Sequence, residues 1–121
     1  MHRLLLASVL ALGACSSTQT QTAREAVAAS AAVYSASFTA FKLYAAQPRC
    51  PAQPVCSDPQ KVVQIGTALV AARAAVALAE GVVDQLPPTT SVTALTPAQA
   101  QVVTAAAAAT ATANTAVGGV K

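Results

Sequence analysis

Residues 58–86 read DPQKVVQIGTALVAARAAVALAEGVVDQL, and this stretch decides the fold. Its apolar residues recur at alternating spacings of three and four positions, which is the period of one face of an α-helix. The members of this stripe are Val62, Ile65, Leu69, Ala72, Val76, Ala79, Val83 and Leu86. The charged residues all fall outside it, as on a solvated face: Lys61, Arg73, Glu80 and Asp84. Because Asp58 suits a helix cap and Pro87 cannot continue a helix, the stretch predicts one long helix.

A similar pattern precedes it at residues 22–47. Thr22 and Glu25 have the spacing of a capping box, in which each side chain bonds to the backbone of the other residue. One apolar stripe then follows at spacings of four and three: Val27, Ala31, Tyr34, Phe38, Phe41 and Ala45. We interpret this stripe as a core-facing surface rather than a ligand site. Two patterned helices joined by a short loop predict an antiparallel hairpin over residues 22–47 and 58–86.

Residues 96–117 are rich in alanine and predict a third helix. Thr96 and Gln99 again have capping-box spacing, and Gly118-Gly119 can end the helix. The segment offers little bulk, since only Val102, Val103 and Val117 have apolar side chains larger than alanine. It could therefore pack closely as the third helix of a bundle or form a partly ordered low-complexity tail. We favour the helix, so the predicted fold class is an all-α three-helix bundle.

The amino terminus has the composition of an exported protein. A short basic start, His2-Arg3, precedes an apolar run over residues 4–12, which is typical of a secretory signal peptide. The run is shorter than the about 20 apolar residues that span a bilayer as a helix. Its end, Leu12-Gly13-Ala14-Cys15, resembles the lipobox of bacterial lipoproteins. The alternative is an ordinary signal peptide with a chance cysteine, which would place bulky Leu12 where a small residue is usual.

The lipobox resemblance implies a lipid anchor. In that family the cysteine thiol receives a diacylglyceryl group, the signal peptide is cut just before it, and the new amino terminus is usually acylated. By this resemblance residues 1–14 are removed, Cys15 carries covalent lipid, residues 15–21 form a tether, and residues 22–121 form a helical periplasmic domain. Two or three acyl chains, at about 0.8 kcal/mol per buried CH₂, hold a protein on a membrane permanently. Ser16 in place of Asp after the cysteine implies the outer membrane.

The chain has three cysteines, and the lipobox accounts for one of them. Cys50 and Cys56 remain as a pair in the loop QPRCPAQPVCS, residues 47–57, in an oxidising compartment. A metal site is the other interpretation, but the chain beyond the signal peptide has no His and the spacing is not C-x-x-C. We favour a disulfide and expect no metal and no other cofactor.

The charge and residue inventory disfavours nucleic-acid binding and catalysis. Without residues 1–14 the chain has six basic and four acidic residues, a net charge of about +2, scattered singly rather than clustered as nucleic-acid binding needs. The only His, His2, lies in the signal peptide, so no Ser–His or Cys–His pair can form. Glu80 and Asp84 lie one helical turn apart but lack a third ligand, and we interpret them as part of a solvated face. We do not expect an enzyme.

An anchored bundle fits a structural or protein-binding role in the cell envelope. A rigid loop loses little entropy on binding, so Arg49, Pro51 and Pro54 are the candidate partner contact, and the alternative is a loop that only connects and staples the two helices. The layout also resembles small Ala-rich helical lipoproteins of proteobacteria and their prophages, some of which serve in host lysis as outer-membrane partners of an inner-membrane protein. Lys121 at the end of the chain is similar to the terminal lysine that joins the major Ala-rich helical lipoprotein of enteric bacteria to peptidoglycan, which implies peptidoglycan attachment as a further alternative.

Overall fold

The computed structural model describes residues 21–51 and 54–120, and this part of the chain is helical without strands. Helix α1 spans Ala23–Ala45, α2 spans Pro59–Asp84 and α3 spans Pro97–Gly118. A short 3-10 helix, Val92–Ala94, lies in the connection before α3. Each of the three long helices packs against both of the others. The helices form a bundle, and the predicted third helix is confirmed.

The helices begin at the residues that the sequence indicated. Thr96 Oγ1 accepts from the backbone N–H of Gln99 at 3.2 Å, and Gln99 Oε1 accepts from the backbone N–H of Thr96 at 3.0 Å, which completes the predicted capping box of α3. At α1 the Thr22 hydroxyl accepts from the backbone N–H of Glu25 at 3.2 Å. Asp58 caps α2. The three caps fix where each helix starts along the chain.

The core consists of two clusters of buried side chains. One cluster takes residues from the beginning of α1, the second half of α2 and the first half of α3: Ala23, Val27, Val76, Ala79, Val83, Val103 and Ala106. The other takes residues from the end of α1, the first part of α2 and the end of α3: Tyr44, Ile65, Leu69, Ala72, Ala113 and Val117. The stripe predicted for residues 58–86 supplies most of the α2 positions in both clusters, and the four charged residues outside it are exposed. That stripe is confirmed.

The stripe predicted for α1 is partly wrong. The buried residues of this helix are Ala23, Val27, Ser30, Ser37 and Tyr44. Phe38 is 39% exposed, Ala45 is exposed and Ala31 is half-buried. The buried face of α1 includes two serines. Because the prediction followed apolar residues only, it placed half of the buried positions one residue too late in the sequence.

Hydrogen bonds offset the cost of burying these polar residues. The Ser37 hydroxyl donates to Asn114 Oδ1 on α3 at 3.2 Å, and the Ser30 hydroxyl donates to the Ala26 carbonyl at 3.3 Å. No buried side-chain nitrogen or oxygen in the described ranges lacks a partner. A buried hydroxyl without a hydrogen-bond partner would lower the stability of the fold. These two hydrogen bonds therefore allow serine on the buried face of α1.

Helices α1 and α2 are also long and apolar enough to cross a membrane by length and composition, with mean hydropathy of 1.2 and 1.8 in their most apolar windows. Core helices of folded domains meet the same criterion. Here Ile65, Leu69 and Val76 of α2 pack inside the two clusters, whereas Val63, Val70 and Leu78 on the opposite side are exposed. We therefore describe both helices as members of the bundle.

Candidate functional site at the disulfide end of the bundle

The loop between α1 and α2 is closed by a disulfide. Cys50 and Cys56 are bonded, and their Cα atoms lie 5.0 Å apart. The predicted pairing of these two cysteines is confirmed. The bridge constrains the backbone between the end of α1 and the start of α2 to a short, stapled turn. We call this end of the molecule, with the second core cluster beneath it, the disulfide end.

Ser57 holds the base of this loop. Its backbone N–H donates to the Pro48 carbonyl at 2.8 Å, and its carbonyl accepts from the backbone N–H of Cys50 at 3.0 Å. Its hydroxyl donates to the Gln47 carbonyl at 3.0 Å, and the residue is only 2% exposed. These three hydrogen bonds hold the base of the loop in addition to the disulfide. Sequence reasoning missed Ser57, because a serine beside a cysteine has no distinguishing signal.

Tyr44 connects the loop to the core. Its ring is buried in the second cluster, and its hydroxyl accepts from the backbone N–H of Asp58 at 2.8 Å. The Asp58 carboxylate in turn accepts from the backbone N–H of Gln60 at 2.9 Å. The sequence offered one clue to Tyr44, since it lies seven residues after Ser37 and fourteen after Ser30, on the same helical face.

The three residues predicted as a partner contact lie on the surface of this end. Arg49, Pro51 and Pro54 are all exposed. Arg49 lines a groove of about 270 Å³ with residues from both neighbouring helices: Ala45, Ser57, Pro59, Val62 and Val63. The groove is therefore lined by one cationic residue, one serine and several aliphatic residues.

Three more grooves open at the same end. One, of about 420 Å³, lies on the start of α2 and is lined by Pro59, Gln60, Val63 and Gln64. The other two lie one at each of the other helix boundaries. The groove between α2 and α3 has about 250 Å³ and is lined by Lys61, Gln64, Ile65, Ala116, Gly119 and Val120. The groove between α1 and α3 has about 170 Å³ and is lined by Ala40, Leu43, Tyr44, Gln47, Val117 and Val120. The three grooves at helix boundaries are smaller than the roughly 300–1,000 Å³ of ordinary small-molecule sites, and the larger one on α2 is widely open to solvent. They suit single side chains of a partner better than a bound metabolite.

Large apolar side chains are exposed around these grooves. Leu43 is 70% exposed, Val55 is 67% exposed and Val63 is 68% exposed. Single exposed apolar residues are common on protein surfaces. Here the three belong to α1, the loop and α2, so they surround the disulfide end from different sides.

Other groups that could carry chemistry are separate from this end. Glu80 and Asp84 are exposed in the last turns of α2, which pack with the first core cluster. Across the described ranges no group of three or more His, Cys, Asp or Glu residues could hold a metal ion. A groove of about 400 Å³ between α1 and α3 is lined by small neutral residues, among them Ala29, Ala107 and Ala111.

The predicted lipid acceptor Cys15, the signal peptide of residues 1–14, and Lys121 lie outside the described residues. Gln21, the last residue assigned to the tether, is the first residue that the structure describes. Comparison of the chain with protein-family models, curated proteins and solved structures finds no match.

Proposed function

We propose that the protein is a lipoprotein of the bacterial envelope, anchored through Cys15 on the periplasmic face of the outer membrane, with a structural or protein-binding role. The observation that carries the proposal is the Cys50–Cys56 disulfide. Stable disulfides belong to exported proteins, and this pairing leaves the lipobox cysteine as the one without a disulfide partner. The third cysteine, which lies at the lipobox, needs no disulfide partner if its thiol accepts lipid.

We further propose that α1 and α2 form an antiparallel hairpin and that α3 runs parallel to α1. The composition of the two core clusters supports this arrangement, because each combines one end of α1 with the opposite end of α2. The backbone N–H of Ala23 also donates to the Thr90 carbonyl at 2.8 Å, which joins the start of α1 to the connection that follows α2.

This arrangement sets the distance between the anchor and the contact surface. At about 1.5 Å per residue, the 26 residues of α2 span about 39 Å. The seven residues between Cys15 and α1, residues 16–22, reach at most about 25 Å when extended. The disulfide end would then present its grooves up to about 65 Å from the lipid. We infer that the bundle is a spacer that offers a contact within this range.

The anchor is tested by mass spectrometry of the mature protein and by labelling with palmitate. We expect the mature chain to begin at Cys15 and to carry acyl mass, and Cys15→Ala to accumulate as unlabelled, unprocessed precursor. Cys50→Ala is the matched control, since it removes a cysteine but keeps the lipobox and should be processed normally. A mature amino terminus elsewhere, or one without acyl mass, would refute the proposal.

Attachment to peptidoglycan is a second candidate function. Val120, the residue before Lys121, lines a groove at the disulfide end together with Lys61. Lys121 is the next residue in sequence after Val120, which lies at the end of the bundle that we propose to be farthest from the membrane. Digestion of purified cell walls should release the protein with attached muropeptide, and Lys121→Arg should abolish that product. Absence of a muropeptide adduct in the unsubstituted protein would eliminate this candidate.

A further inference from the structure

The charged residues are segregated by sign between the two ends of the bundle. The disulfide end has three exposed cations and one carboxylate: Lys42, Arg49, Lys61 and Asp58. The opposite end has three exposed carboxylates and one cation: Glu25, Glu80, Asp84 and Arg24. Among the described residues only Arg73, in the middle of α2, lies between the two groups. The formal charge of the described residues is therefore +2 at the disulfide end and −2 at the other.

Helix stability does not account for this segregation. In α1 the acid Glu25 is in the first turn and the base Lys42 is in the last turn, which is the favourable placement for the helix dipole. In α2 the placement is reversed, with Lys61 in the first turn and Glu80 and Asp84 toward the carboxyl end. Apart from Arg24 and Asp58, the sign of the charge at each end follows the end of the molecule and not the direction of the helix. We infer that the charges serve an interaction.

The cations at the disulfide end alternate with apolar side chains. Arg49 and Val63 line the same groove, and Val55 and Leu43 are exposed nearby on the loop and on α1. The one carboxylate at this end, that of Asp58, is engaged as the helix cap of α2. The surface thus combines a net positive charge with exposed apolar side chains.

We propose that the disulfide end docks an acidic and partly apolar surface of a partner protein. Carboxylates of the partner pair with Arg49 and Lys61, and its apolar side chains cover Val55 and Val63. A polysaccharide or a purely charged polymer would satisfy the cations but leave the apolar side chains uncovered. The disulfide and the hydrogen bonds of Ser57 already hold the base of the loop, so docking there costs less conformational entropy. The inference rests on the proposed function, because it names the kind of partner for the contact surface proposed above.

The test uses the mature lipidated protein in nanodiscs of phosphatidylcholine, whose lipid has no net charge. The probe is a fluorescent 18-residue helical peptide with glutamates on one face and leucines on the other, and binding is followed by fluorescence anisotropy. We expect the double variant Arg49→Glu/Lys61→Glu to bind at least tenfold more weakly, and Val63→Ser several-fold more weakly. Arg73→Glu is the matched control, an exposed cation away from this end, and should change the dissociation constant less than twofold. Binding should also weaken as salt is raised.

Four outcomes would overturn the inference. Arg73→Glu could weaken binding as much, per charge changed, as Arg49→Glu/Lys61→Glu, which would show that net charge alone matters. Poly-glutamate of the same length could bind as tightly as the peptide with leucines, which would assign a polyanion instead. Isolated cell-wall sacculi could bind at this end while the peptide does not. Self-association removed equally by Arg49→Glu and by Glu80→Lys would assign the acidic end of a second copy as the occupant.

The result is separable from the test of the anchor. Acyl mass on Cys15 is measured on the same preparation before binding is tested. A lipidated protein that does not bind the peptide would contradict only the partner assignment, whereas a protein without lipid would contradict the proposed anchor whatever the peptide does.

Discussion

The hydroxyl of Tyr44 accepts a 2.8 Å hydrogen bond from the backbone N–H of Asp58, across the disulfide loop. The bond joins the last residues of α1 to the residue that caps α2. Because the Tyr44 ring is buried in the second core cluster, the same side chain packs the core and fixes the start of the next helix. The disulfide and Ser57 shape the loop above it.

Removing the hydroxyl should destabilise the fold. Tyr44→Phe leaves the Asp58 N–H without its acceptor in a partly buried position, and we expect the free energy of unfolding to fall by about 1–2 kcal/mol. Urea denaturation followed by circular dichroism measures the change. Tyr34→Phe is the control, since Tyr34 is only half-buried and lies outside this link, and it should cost less than about 0.5 kcal/mol. Equal losses for the two variants would show that the bond contributes nothing.

The disulfide should contribute more than any single hydrogen bond in the loop. Cys50→Ser/Cys56→Ser should lower the free energy of unfolding by about 2–3 kcal/mol, because the ring restricts the unfolded chain. A reducing agent should produce the same loss in the unsubstituted protein and none in the double variant. If the reductant destabilised both proteins alike, its effect would not act through this bridge.

Neighbouring residues on α2 should differ sharply in their effect on stability. Leu69 is 3% exposed and Val70 is 71% exposed, although they are adjacent in sequence. Leu69→Ala should cost about 2–5 kcal/mol because it leaves a cavity, and Val70→Ala should stay within about 0.5 kcal/mol. Thermal unfolding of the two variants checks this. A larger loss of stability in Val70→Ala than in Leu69→Ala would mean that α2 buries a different face from the one described.

Two glycines inside α2 should be replaceable with a gain in stability. A Cβ at position 81 meets no heavy atom within 4 Å, and one at position 66 would lie 3.8 Å from Phe41 Cζ, which is ordinary contact. Gly81→Ala should raise the free energy of unfolding by about 0.5–1 kcal/mol because alanine loses less backbone entropy in a helix. Gly66→Ala should gain at least as much, as it also adds contact with Phe41. A loss in either variant would reveal a requirement for glycine that the packing does not show.

The sequence predicted α2 well and α1 only in part, for a physical reason. The seam of α2 is made of residues such as Ile65, Leu69 and Val76, so apolar spacing alone identifies it. The seam of α1 includes Ser30 and Ser37, whose hydrogen bonds depend on neighbours that the spacing cannot reveal. Apolar periodicity therefore locates a helix more reliably than it locates the buried side of that helix.

Phe38 was predicted to face the core, but it lies on the helix surface and is partly covered by its neighbours there. Its ring stacks on Tyr34 with centroids 6.0 Å apart, and Lys42 Nζ lies 5.1 Å from its centroid. These neighbours, four residues away on either side, cover an aromatic ring on the surface of the helix. Neighbours on the same helix can thus cover part of a large apolar side chain that lies outside the core.

At the candidate site, composition and context predicted the disulfide and the exposed loop residues. The roles of Tyr44 and Ser57 could not be predicted, because both depend on how the loop folds back on α1. The segregation of charge also required the fold. Lys42 and Lys61 are nineteen residues apart in sequence and share one end only because the two helices meet there.

The small side chains of the core affect how stability varies with temperature. Alanine occupies several of the most buried positions: Ala23, Ala72, Ala79, Ala106 and Ala113. Unfolding such a core hydrates less apolar surface than unfolding one built from leucine and phenylalanine, so the heat-capacity change per residue should fall below the usual roughly 12–15 cal/mol/K. A small heat-capacity change flattens the curve of stability against temperature. We therefore expect the free energy of unfolding to have a modest maximum and to change little between low and high temperature.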